Sequence, residues 1–70
     1  MNNYILEFEL VDGDILKEEW ETEKDIKELN KQIAQLLVAM PWYTFIDSED
    51  KIFNINVSKI KYFTIKNNKE

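Results

Sequence analysis

Hydrophobic residues occupy every second position near the start of the chain, between residues 3 and 11. Four apolar side chains fall on one side of an extended backbone: Tyr4, Leu6, Phe8 and Leu10. Glu7 and Glu9 fall on the other side. A period of two residues is typical of a strand with one buried face. We therefore predict a half-buried first strand over this segment.

A hairpin turn is predicted directly after this strand, at Asp12 and Gly13. Gly13 is the single glycine of the chain and can adopt the positive φ that a tight turn needs. A two-residue loop would turn Leu16 toward the acidic side of the hairpin. A three-residue loop with a glycine bulge instead gives compatible cross-strand pairs: Phe8 with Leu16, Tyr4 with Trp20 and Glu7 with Lys17. We expect this longer loop, followed by a second strand over about residues 15–21.

The middle of the chain has the spacing of an amphipathic helix. Its apolar residues recur every three or four positions and form one stripe: Ile26, Leu29, Ile33, Leu36, Leu37 and Met40. Thr22 and Asp25 have the spacing of a capping box, which predicts that the helix begins after Thr22. Pro41 disfavours helical geometry at Met40, so we expect the helix to end there.

Three further strands are predicted after Pro41. Residues 42–46 are aromatic and β-prone, and the polar residues 47–50 form a turn that reverses the chain. Residues 53–57 alternate apolar side chains with asparagine. The last strand spans residues 60–65, with Ile60 and Tyr62 on one face and Phe63 and Ile65 on the other. Residues 67–70 are predicted to be a disordered polar tail.

Together these elements predict a single α+β domain over residues 1–70, in the order β-β-α-β-β-β. An antiparallel sheet packed on the one amphipathic helix forms a two-layer unit with a single core. A chain of 70 residues has too little material for a second core.

The sequence contains no histidine, cysteine or arginine, and this absence removes several kinds of chemistry. Histidine is the usual proton shuttle near neutral pH, and histidine and cysteine supply most transition-metal ligands. Asp12 and Asp14 flank the turn glycine, but the further oxygen ligands of a calcium loop are missing. We predict no catalytic residues, no metal and no cofactor, and an enzyme with paired carboxylates is the least favoured function.

The formal net charge of −5 is concentrated in the first half of the chain. Residues 1–35 hold ten acids and four lysines, whereas residues 36–70 hold four acids and five lysines. An acidic chain lacks the basic face that displaces counterions from nucleic acid, so no direct nucleic-acid partner is expected. Neither a signal peptide nor a bilayer-spanning run occurs, which predicts a cytoplasmic protein without membrane contact.

Two groups of residues are candidates for contact with a protein partner. The aromatic group is Trp20, Trp42 and Tyr43, residue types enriched among the strongest interface contacts but more often found closing a small core. Trp42 follows the helix end and is the one expected to be exposed. The acidic group, Glu19, Glu21 and Glu23, either binds a basic partner or only solvates a strand and the helix N-terminus.

The leading hypothesis is a non-enzymatic protein-interaction module that self-associates, as in a homodimer, through a sheet edge or an exposed aromatic patch. The alternative is an acidic inhibitor or mimic that occupies a basic nucleic-acid-binding site on another protein. Either a protein partner or a second copy of the chain is therefore expected.

Residues 51–62 carry the apolar–asparagine alternation, then Ser58 and Lys59, then a second β-prone run. This pattern resembles the strand, short turn and strand that end many small uncharacterised proteins of low-GC Gram-positive bacteria and their phages. The resemblance covers 12 of the 70 residues and assigns no functional residue. It implies a bacterial or phage accessory protein of the cytoplasm.

Overall fold

The computed structural model describes residues 1–47 and 49–68, which form five β-strands, one α-helix and one 3₁₀ turn. The elements follow in this order: β1 (Asn2–Leu10), β2 (Ile15–Thr22), α1 (Ile26–Ala39), β3 (Trp42–Ile46), β4 (Ile52–Asn56), a 3₁₀ turn (Val57–Lys59) and β5 (Ile60–Asn67). The predicted α+β class and the order β-β-α-β-β-β are confirmed. Within the described residues, α1 is neither long nor apolar enough to cross a membrane.

The first hairpin has the predicted register. Tyr4 lies opposite Trp20, Phe8 opposite Leu16 and Glu7 opposite Lys17. The Leu10 N–H donates to the Asp14 carbonyl at 2.8 Å, and the Gly13 N–H donates to the Leu10 carbonyl at 2.9 Å. These bonds enclose a three-residue loop, and Gly13 has a φ of 96°. The single glycine thus occupies a position of this loop at which most other residues would be strained.

The N-terminus of the helix differs from the prediction. The helix is capped by Asp25, whose Oδ1 accepts from the Glu28 N–H at 2.8 Å. Glu28 Oε1 in turn accepts from the Asp25 N–H at 3.4 Å, which completes a capping box. The prediction that Thr22 caps the helix is wrong, because Thr22 is the last residue of β2 and is paired with Asn2. At the other end, Met40 is extended before Pro41, as predicted.

The five strands divide between two antiparallel sheets. One sheet has the order β2-β1-β5, and the other consists of β3 and β4. The strands predicted within residues 51–62 both form, but β4 pairs with β3 whereas β5 pairs with β1. The 3₁₀ turn carries the chain from one sheet to the other, and the Val57 N–H donates to the Pro41 carbonyl at 2.9 Å.

A bulge near the start of β5 changes the predicted direction of Ile60. Glu9 lies opposite Tyr62 and Leu10 lies opposite Ile60, so Lys61 is an extra residue between the two pairs. The extra residue turns Ile60 to the inner side, where it packs against the core. The expectation that Ile60 and Tyr62 share one face is therefore wrong.

The end of β5 extends into the segment predicted to be a tail. Asn67 belongs to the strand and pairs with Tyr4. The Asn68 N–H donates to the Asn3 carbonyl at 2.9 Å. Two of the four residues assigned to a disordered tail are thus bonded to the sheet, and residues 69 and 70 lie outside the described residues.

A single core joins the two sheets and the helix. Its buried residues come from four elements: Tyr4, Leu6 and Phe8 of β1, Leu29 and Ile33 of α1, Tyr43 and Phe45 of β3, and Ile55 of β4. The helix and the β3–β4 hairpin therefore cover the same face of the three-stranded sheet. Ile33 is fully buried, as its central position in the helix stripe predicts.

Candidate interaction surfaces

The three-stranded sheet turns a charged face to solvent. Its outward residues include six charged side chains: Glu7, Glu9, Lys17, Glu19, Glu21 and Lys66. We call these six residues the charged face. Glu7 Oε1 lies 3.8 Å from Lys17 Nζ and 3.9 Å from Lys66 Nζ, so one carboxylate connects all three strands.

Glu9 also has partners on the strand beside it. Its Oε2 lies 3.6 Å from Lys61 Nζ, and its Oε1 accepts a hydrogen bond from the Tyr62 hydroxyl at 2.9 Å. This hydrogen bond and the negative charge of Glu9 raise the pKa of the Tyr62 hydroxyl. The carboxylates of the central strand are therefore already matched by neighbouring donors.

The β3–β4 hairpin turns a different face to solvent. Its six outward residues carry no charge: Trp42, Thr44 and Ile46 from β3, and Ile52, Asn54 and Asn56 from β4. We call these residues the neutral face. Trp42 is 52% exposed, Ile46 is 51% exposed and Ile52 is 61% exposed. Ile46 lies directly opposite Ile52, and the Thr44 hydroxyl donates to Asn54 Oδ1 at 3.0 Å in the middle of the face.

The three aromatic candidates occupy different places. Trp42 lies on the neutral face and is exposed, as expected for the residue that follows the helix end. Tyr43 points the opposite way into the core, with its ring centroid 5.1 Å from that of Phe8. Trp20 lies on the inner side of β2 and packs against the core. Among these three, Trp42 offers the most accessible surface to a partner.

Glu18 forms side-chain hydrogen bonds that link the two sheets. Its Oε1 accepts from the Tyr43 hydroxyl and from Trp20 Nε1, both at 2.8 Å. Burial raises the pKa of Tyr43 well above its usual range, and the hydrogen bond to Glu18 raises it further. Because this phenol keeps its proton, it remains a donor to the carboxylate.

The role of Glu18 did not emerge from the sequence, although a signal for it was there. The hairpin register places Glu18 opposite Leu6, on the apolar side of β2 between Leu16 and Trp20. A carboxylate at such a position needs hydrogen-bond donors. The aromatic donors that supply them were predicted only as core or interface residues.

The acidic candidates remain on the surface. Glu19 and Glu21 are exposed residues of β2, and Glu23 is exposed in the connection to α1. Among the described residues, none of these three carboxylates has an ion pair or a side-chain hydrogen bond. Glu18 and Asp25, by contrast, serve the fold as acceptor and helix cap.

The turn carboxylates have a structural role. Asp12 Oδ1 accepts from the Asp14 N–H at 3.0 Å, which closes the turn of the first hairpin. No group of three or more potential metal ligands occurs within residues 1–47 and 49–68.

Comparisons with protein-family models, with curated proteins and with solved structures gave no match for this chain. The resemblance of residues 51–62 to bacterial and phage proteins therefore stays a prediction.

Proposed function

We propose that this domain is a non-enzymatic protein-interaction module that self-associates through the neutral face. The observation that carries the proposal is the exposure of Trp42, Ile46 and Ile52 on a sheet face without charged residues. Burial of such side chains is favourable by about 25 cal/mol per Å² of apolar surface removed from water. Tryptophan is also enriched among the residues that contribute most to protein interfaces.

The charge of the molecule favours a second copy of the chain as the occupant. Two copies that each carry −5 repel one another, and repulsion is smallest where the facing surfaces hold no charged residue. A contact between two neutral faces also desolvates no ionised group. A two-fold axis through the middle of the face brings the same residues together from both copies.

The size of the neutral face determines how strong we expect self-association to be. Stable interfaces contain roughly 20–30 residues on each side. The neutral face has six outward residues, so we expect weak self-association that depends on protein concentration.

Light scattering after size-exclusion chromatography, over a series of protein concentrations, tests the proposal. We expect the mass to rise from 8.4 kDa toward twice that value as concentration increases. Ile52→Lys places a charge on the neutral face and should hold the mass at that of the monomer. Val38→Lys is the matched control, because Val38 is 90% exposed on the helix and does not belong to the neutral face. A wild-type mass that stays at 8.4 kDa throughout contradicts the proposal, as does an equal effect of both variants.

The exposed acids of β2 favour a second candidate function, an acidic inhibitor that occupies a basic nucleic-acid-binding site on another protein. Glu19, Glu21 and Glu23 are exposed and follow one another along β2 and its exit. Replacing all three with glutamine should abolish binding to a basic protein partner in a pull-down assay. Undiminished binding by this variant would remove the idea.

A further inference from the structure

We infer that the free edge of β2 binds an extended protein segment bearing lysine or arginine, which adds to the sheet as a fourth strand. This inference goes beyond self-association: it concerns a strand edge that shares only Ile46 with the neutral face, and it assigns a binding mode to the acids Glu19 and Glu21. The strand order β2-β1-β5 leaves β2 with a neighbour on one side only. Strand addition uses such an edge for main-chain hydrogen bonds.

The hydrogen bonds around β1 identify the backbone groups that point to the free edge. The Val11 N–H donates to the Lys59 carbonyl and the Asn3 carbonyl accepts from the Asn68 N–H, so the odd-numbered residues of this strand face β5. In antiparallel sheets, the N–H and C=O groups of alternate residues in a central strand point to opposite neighbouring strands. The even-numbered residues of β1 therefore bond to β2.

The same parity applies on β2, because even-numbered residues of the two strands lie opposite one another. The backbone N–H and C=O groups of Lys17, Glu19 and Glu21 therefore point away from β1. Within the part of the chain that the structure describes, no backbone hydrogen bond reaches them from another element. Three consecutive donor–acceptor positions are available along this edge.

A groove runs beside this edge toward the end of β3. It encloses about 460 Å³ and is lined by residues of three strands and the turn after β3: Ile5, Lys17, Glu18, Glu19, Ile46 and Asp47. Apolar and acidic residues thus line the same groove. This combination suits a lysine or arginine side chain, whose aliphatic stem packs on apolar surface while its charged head reaches a carboxylate.

The charges beside the edge favour a partner segment with positively charged side chains. Glu18 accepts hydrogen bonds from uncharged donors, and Lys17, the one cation in the groove, lies 3.8 Å from Glu7 on the charged face. Glu19 and Glu21 have no ion pair among the described residues. A segment with basic side chains at alternate positions places them beside these acids, whereas an acidic segment is repelled.

Fluorescence anisotropy with two synthetic peptides tests the inference. The probe is an eight-residue, end-blocked peptide that alternates lysine with valine, and its control has glutamate at every lysine position. We expect saturable binding of the lysine peptide, and affinity at least about tenfold weaker for the glutamate peptide. Equal affinity for the two peptides, or no binding of the lysine peptide, overturns the inference.

Two variants at one position separate strand addition from simple charge attraction. Glu19→Pro and Glu19→Gln both remove the charge, but only proline also removes the edge N–H. Proline is tolerated on an edge strand, and the bonds from β2 to β1 do not use this N–H. We expect Glu19→Pro to bind the lysine peptide at least about tenfold more weakly than Glu19→Gln, which corresponds to about 1.4 kcal/mol. Equal binding by the two variants overturns strand addition.

A change in the probe covers the case in which Glu19→Pro fails to fold. N-methylation of alternate backbone nitrogens on the lysine peptide removes its donors on one side and should abolish binding to the wild-type protein; retained binding overturns the inference. Trp42→Ala, which removes apolar surface from the neutral face without adding a charge, should leave peptide affinity unchanged, because Trp42 does not line the groove. If Glu19→Pro instead lowers only self-association, the edge belongs to a second copy and the inference is overturned.

Discussion

The two sheets of this small domain turn opposite kinds of surface to solvent. On the charged face, Glu7 is matched by lysines from both neighbouring strands. On the neutral face, Trp42, Ile46 and Ile52 are half or more exposed, and the six outward residues of the face are all uncharged. Covering the charged face would strip water from ions, whereas covering the neutral face removes mainly apolar surface. The difference shows that a short acidic chain can leave an uncharged and partly apolar surface exposed.

Both faces depend on the same core, so removing a buried side chain should disrupt both of them. Ile33 is fully buried between the helix and the sheets. We expect Ile33→Ala to lower the free energy of unfolding by about 2–5 kcal/mol through lost burial and a residual cavity. Urea unfolding measures the change, with Val38→Ala, at an exposed helix position, as the control. An unchanged midpoint for Ile33→Ala would reject the described packing.

The hydrogen bonds of Glu18 between the two sheets should have the next largest effect on stability. Glu18→Ala leaves the Tyr43 hydroxyl and Trp20 Nε1 without their acceptor. Loss of a partner for partly buried donors costs about 1–3 kcal/mol. Glu19→Ala, which changes the next residue on the outward side of the same strand, should stay within about 0.5 kcal/mol of wild type. Thermal unfolding of the two variants measures their loss of stability. Equal losses of stability would show that Glu18 does not link the sheets.

The smallest effect is expected on the charged face. Glu7→Gln removes the carboxylate that lies between Lys17 and Lys66. These lysines are largely exposed, and exposed ion pairs contribute between about 0 and 1 kcal/mol. The difference from wild type should shrink further when urea unfolding is repeated in high salt. A loss that persists in high salt would mean that Glu7 supports the sheet by something other than charge.

Local patterns in the sequence predicted most of the fold. The alternation in β1 and the position of Gly13 gave the correct hairpin register. The helix stripe gave the buried residues Leu29 and Ile33, and Pro41 gave the helix end. Each of these features depends on residues close together in the chain, where steric preference and side-chain period are sufficient.

The errors occurred where a distant strand competes with a local preference. Thr22 has the chemistry of a helix cap, but pairing with Asn2 holds it in β2 and the cap passes to Asp25. Ile60 reaches the core because β5 has a bulge where it meets β1. The partners of these strands lie about 20 and 50 residues away, beyond the reach of a local pattern.

The candidate surfaces show the same division. Sequence pattern alone is enough to tell which residues can share a face, because strand side chains alternate with a fixed period of two. Which of these faces are covered depends on the folded chain, since the helix and the β3–β4 hairpin must pack on β1 to cover one. This packing buries Tyr43, leaves Trp42 exposed and brings Glu18 to its donors. Pairing between distant strands also decided that β2 would be an edge, because hydrogen-bonded neighbours are a property of the folded sheet.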